Sequence, residues 1–176
     1  MVNDKRGAEW ISTILYVLIS IAILGALMVA VRPKISELKD QVIITQTVDS
    51  LNVLDDTLQL TKTATGTNLR YNIKLNKGNL IIDPLNDKIT WQGDSSYIYS
   101  EPGKTLQVGR INALTTAKND FYQVTLDLDY KLYNLNLTFD GLERIKTLNP
   151  SSIPYTIWLK NNGRSGNLTM VDLYLG

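Results

Sequence analysis

The sequence predicts an α+β protein: one long N-terminal α-helix, apolar and then amphipathic, followed by an antiparallel β-sandwich. Three observations carry this. Ile11–Val31 is an uninterrupted apolar run of 21 residues. Beyond it apolar residues recur every three or four positions as far as Leu58, one face of a helix. After Thr61 the period falls to two, the signature of half-buried strands.

Residues 1–7 form a short polar leader that ends in Lys5-Arg6-Gly7. Ala8 and Glu9 then open the helix. At about 1.5 Å per residue the apolar run is roughly 30 Å long, the thickness of a bilayer core. A secretory signal is cut after its hydrophobic stretch and has a shorter one; here the basic pair and glycine precede the stretch, so the apolar segment is expected to be retained. Small and polar residues within it, Ser20, Ala22, Gly25 and Ala26, are the types that let membrane helices approach one another, and they are the expected helix-packing positions together with Glu9, whose carboxylate reads either as paired with an amine or as a headgroup-level group in water. Trp10 is read as an interfacial anchor.

The second part of the helix follows from Ile35, Leu38, Val42, Ile44, Val48, Leu51, Leu54 and Leu58. One helix is expected over residues 8–60, with a kink at Pro33, which lacks a backbone donor and crowds the preceding turn. Glu37 and Asp40 read as a solvated face, as do Asp55-Asp56, Asp127 and Asp129. None of these aspartates sits in a glycine-containing loop of the kind that gathers six or more oxygens around calcium, so no metal site is expected.

The β domain is expected over residues 61–176, with eight to ten strands. Leu69–Leu75 alternates, Asn76-Lys77-Gly78 turns it, and Asn79–Asp83 returns. Lys88–Gln92 and Ser96–Tyr99 read as a hairpin across Gly93-Asp94. A weaker strand runs from Lys104 to Val108 or Ile111. Phe121–Leu128 and Tyr133–Phe139 follow, the latter ended by Asp140-Gly141. Ile153–Lys160 and Leu168–Leu175 close the domain around a loop at 161–167.

Composition excludes several chemistries. Cysteine and histidine are both absent, so there is no thiol, no disulfide and no imidazole base or ligand. The chain has 18 Lys/Arg and 17 Asp/Glu; leaving out those before Pro33 leaves 15 of each. A neutral domain without a basic stripe does not point to nucleic acid. No phosphate-binding glycine loop is found, no cofactor is expected, and nothing points to an enzyme. Asn136-Leu137-Thr138 and Asn167-Leu168-Thr169 are sequons and make Asn136 and Asn167 the candidate N-glycosylation sites.

Lys5-Arg6-Gly7 ahead of a long apolar helix resembles the class III signal of archaeal type IV pilin-like and archaellin precursors, and the order of helix and β-sandwich is similar too. The closing pair, Ile157–Gly163 and Leu168–Tyr174, resembles an Ig-like hairpin of archaeal envelope proteins. The resemblance implies cleavage between Gly7 and Ala8 by a prepilin peptidase. It also implies a membrane-anchored precursor, a pilus assembly platform as partner, and a homo-oligomeric helical filament at the cell surface, its core made of the N-terminal helices. Bacterial pilins carry a glutamate at the fifth mature position, which is Ser12 here. The alternative is a monomeric single-pass envelope protein whose extracellular Ig-like domain binds a ligand.

Overall fold

The computed structural model describes residues 5–176, with side chains from Trp10 onward. A single α-helix, α1, covers Lys5–Lys62, with Pro33 inside it. The chain divides into two compact units, one ending at Lys39 and the other Asp40–Gly176.

The first unit is helix. The second holds the rest of α1 and ten strands: β1 (Asn68–Ile73), β2 (Asn79–Asp83), β3 (Lys88–Ser95), β4 (Thr105–Val108), β5 (Ile111–Ala117), β6 (Tyr122–Asp129), β7 (Leu135–Phe139), β8 (Lys146–Leu148), β9 (Tyr155–Ser165) and β10 (Leu168–Leu175). They form a four-stranded sheet in the order β1-β9-β10-β7 and a six-stranded sheet in the order β4-β5-β6-β3-β2-β8. The larger sheet is antiparallel throughout. In the smaller one β10 runs antiparallel to β9 but parallel to β7. The sandwich is thus antiparallel-rich, with one parallel pair.

Each sheet buries one face, as the alternation predicts. Tyr71 and Ile73, Leu135, Leu137 and Phe139, Ile157 and Leu159, and Val171 and Leu173 come from the smaller sheet. Leu80 and Ile82, Ile89 and Trp91, Ile111 and Ala113, and Val124, Leu126 and Leu128 come from the larger. These residues form one continuous core with Ile44, Val48, Leu51, Leu54 and Leu58 of α1, so five of the eight periodic apolar positions of the helix pack on the domain. Ile35, Leu38 and Val42, by contrast, are exposed, and the buried stripe of α1 begins at Asp40. Burying each large aliphatic side chain is worth roughly 1.5–3 kcal/mol.

Four local expectations are corrected. Gly93-Asp94 is not a hairpin turn: β3 runs on to Ser95, and Gly93 pairs with Val124 of β6. A Cβ on Gly93 would stand 2.6 Å from the Trp91 indole, and one on Gly78, whose φ is +73°, also 2.6 Å. The two glycines make the seat of the ring, which donates its Nε1–H to the Lys77 carbonyl at 3.1 Å. The weak strand before Ile111 is two strands, β4 and β5, turning at Gly109-Arg110. Residues 131–133 form a 3₁₀ turn ahead of β7, and β8 is a three-residue strand that no sequence pattern announced. Finally, β9 continues to Ser165, so the expected loop at 161–167 shrinks to Gly166-Asn167. Gly166 has φ +59°, the positive value that the first loop residue of a type II′ hairpin needs.

Candidate functional site

Trp10–Val31 is an unbroken run of exposed residues, and α1 is long and apolar enough to cross a membrane, with none of its apolar window buried. Trp10 is 72% exposed and Tyr16 71%. A Cβ added at Gly25 would meet nothing within 4 Å, apart from the helix's own backbone. Ala22, Gly25 and Ala26 lie at helical spacing and are all exposed, so they share one narrow, smooth strip. Ser20 is different. Its hydroxyl donates to the Tyr16 carbonyl at 2.8 Å, and its proton is therefore committed within its own helix. Below Pro33, Lys34 and Glu37 pair at 2.7 Å on an exposed turn. The side chains of Lys5, Arg6, Gly7, Ala8 and Glu9 lie outside the described residues.

Within the second unit α1 is pinned by polar contacts that sequence reading misplaced. Asp40, read as solvated, is 8% exposed. Its Oδ1 accepts from Lys77 Nζ at 2.5 Å, and its Oδ2 accepts from the backbone N–H and hydroxyl of Ser96 at 2.7 and 2.8 Å. Burial alone would raise its pKa; the Lys77 and Ser96 donors outweigh that and hold it below the ordinary value, because they favour the charged form.

Asp55 is likewise not solvated, at 4% exposure. Its Oδ2 meets Arg110 Nε at 2.9 Å, and the Arg110 guanidinium also stands over the Tyr133 ring, 5.4 Å from its centroid. Burial raises the Asp55 pKa, with Arg110 opposing. The hydroxyl of buried Tyr130 lies in the same field without a regular hydrogen bond. Lys62 Nζ donates to the Tyr133 carbonyl. Asn161, buried in β9, donates Nδ2 to the Thr61 carbonyl at 2.9 Å and so satisfies one acceptor that the helix end leaves open. Two aspartates on the helix periodicity, at Asp40 and Asp55, were the available sign of these pins; Lys77 and Arg110, in turns, and Asn161, a polar residue within β9, gave none.

The other sequence candidates fall on the sandwich. Asp127 accepts from Thr90 Oγ1 at 2.5 Å and Asp129 from the Lys131 N–H at 3.0 Å, so both serve local structure. Asn136 is the second residue of β7, its Oδ1 buried and without a hydrogen-bond partner among the described residues. Asn167 lies exposed at the β9–β10 turn. A cleft of about 430 Å³ beside α1 is lined by Gln46, Thr47, Asp49, Asn72, Lys74 and Asn76, among others.

Compared with protein-family models, with curated proteins and with solved structures, the chain matches none.

Proposed function

We propose that this protein is the structural subunit of an archaeal type IV pilus-like extracellular filament, held in the membrane as a precursor and assembled by packing of its N-terminal helices. One observation carries the reading. A single helix of 58 residues gives its later part to the core of a β-sandwich and leaves an apolar stretch of bilayer length exposed. Such a stretch needs lipid or other helices around it, since an apolar surface of this size in water is a strong drive to association.

The Lys5-Arg6-Gly7 leader adds support, because it places a cleavage point before the apolar stretch rather than after it. A prepilin peptidase would then release Ala8, and an assembly platform would lift the subunit from the membrane. The smooth strip at Ala22, Gly25 and Ala26 is the surface on which neighbouring helices would come close. Glycosylation, in this reading, falls on Asn167, which stands free at a turn.

The experiment is the N-terminus and mass of the protein recovered from sheared surface filaments. A mature chain starting at Ala8, lost when Gly7→Val blocks the scissile bond, is the expected result. A membrane-bound chain that keeps residues 1–7, with no filament containing it, identifies a single-pass anchor instead.

A further inference from the structure

We propose that the outer face of the four-stranded sheet is a binding site for an acidic saccharide, with Trp158 and Tyr174 as the stacking surface and Arg70 and Lys160 as the carboxylate partners. The inference is independent of filament assembly.

The geometry begins with a row. Arg70 of β1, Trp158 of β9 and Tyr174 of β10 are register partners across three neighbouring strands, so their side chains share the face opposite the core. Tyr174 exchanges hydrogen bonds with Asn68 on β1, two strands away: Asn68 Nδ2 donates to its hydroxyl at 2.9 Å, and the hydroxyl lies 3.3 Å from Asn68 Oδ1. Strands lie about 4.8 Å apart, so the tyrosine ring has to lie down across β9 to reach that amide. The Trp158 indole is parallel to it within 9°, with centroids 6.3 Å apart. At that separation parallel rings are displaced sideways rather than stacked face on face, and they present aromatic surface side by side. Both residues are half-buried, so part of each ring is open to solvent. Gly176 runs along the indole edge, where a Cβ would stand 2.5 Å from Nε1; the indole is thereby confined.

The chemistry of the surroundings selects the ligand. A pyranose offers a face of C–H bonds, weakly positive, to the negative face of an aromatic ring, and a rim of hydroxyls to amides. Asn72 and Asn162 supply exposed amides on this face. Arg70 and Lys160 are exposed and have no hydrogen-bond or ion-pair partner among the described residues. Asp172, the cross-strand neighbour of Lys160, is turned away: its Oδ1 accepts from Thr138 Oγ1 and the Gly141 N–H, both at 2.7 Å. Two unpaired cations beside aromatic rings complement a sugar that bears a carboxylate.

The test is titration of the full chain in detergent micelles with a galacturonate hexamer, and with neutral maltohexaose, by calorimetry and tryptophan fluorescence. The galacturonate is expected to bind, to weaken with added salt, and to bind more tightly than maltohexaose. Trp158→Ala should weaken it about five- to tenfold. Arg70→Gln and Lys160→Gln, surface changes that leave the fold alone, should each weaken it about two- to fivefold. No binding at all, or a double Arg70→Gln, Lys160→Gln variant as tight as wild type, overturns the site. Equal affinity for maltohexaose overturns its acidic specificity. Binding of a proline-rich peptide in place of the saccharide overturns the ligand class.

Discussion

Gly93 has no side chain because the Trp91 indole fills the space that one would occupy. The indole is buried to 1% exposure and tied to the Lys77 carbonyl, so it cannot swing aside. Gly93→Ala should therefore cost about 1–3 kcal/mol, read as a lower urea midpoint with an unchanged slope. Read from sequence alone, the same glycine next to Asp94 is a turn; only the pairing with β6 reveals it as strand. Asp40 was equally misleading, a charged residue between exposed neighbours whose partners, Lys77 and Ser96, lie far along the chain. Its folded pKa is depressed, so the stability it provides is present above the ordinary value of 3.8 and is lost as pH falls through the lower folded value. Asp40→Asn should thus be less stable than wild type near neutral pH by about 1–3 kcal/mol, and this gap should close below about pH 3.8. Asp55 and Asp87, which burial raises, act in the opposite sense: the folded state binds their protons more tightly, so their contribution falls as pH rises past 3.8. A gap of constant size across the acid range would show that the Asp40 pKa is the same in the folded and unfolded states.

At the scale of elements, α1 carries two surfaces along one helix. From Asp40 onward its buried stripe was legible through Ile44, Val48, Leu51, Leu54 and Leu58, because spacing and chemistry agree there. Leu51 and Leu54 are fully buried. In a chain beginning at Lys34, each replacement by Ala should cost about 2–5 kcal/mol and lower the melting temperature by several degrees or more. An unchanged melting temperature would mean that this face of α1 does not belong to the domain core. The strands were less evenly legible. β2, β6 and β10 alternate cleanly and lie close to where the pattern puts them. β5 reads Ile-Asn-Ala-Leu-Thr-Thr-Ala, and its alternation is blurred because one of its inward residues is Thr115. Thr115 is buried by exchanging hydrogen bonds with Ser100, a partner that only the tertiary fold supplies. β8 is too short for any period. The parallel pairing of β7 with β10 leaves no local trace, since it joins segments about 30 residues apart.

At the scale of the whole molecule the class of fold was legible from one change of period, whereas the order of strands was not. Gly25 tests the filament reading at this scale. Within the subunit a side chain there has room, and leucine is a better helix former by up to about 1 kcal/mol, so Gly25→Leu should enter the membrane normally. Packed helices should not tolerate it, at about 1–3 kcal/mol of strain per subunit. The expected outcome is precursor in the membrane and few sheared filaments; a wild-type ratio of the two would take Gly25 out of the assembly contact. The position of β10 has a different consequence, one of timing. It is the last strand in sequence order but an interior strand of its sheet, with β9 on one side and β7 on the other. Until it has been synthesised and delivered, β7 has no neighbour in that sheet and β9 has one side open. The four-stranded sheet therefore cannot be completed before β10 is in place. β1 and β9 can pair beforehand, but β7 joins them only through β10, and until then one edge of β9 and the β10-facing edge of β7 are open to pairing with other chains.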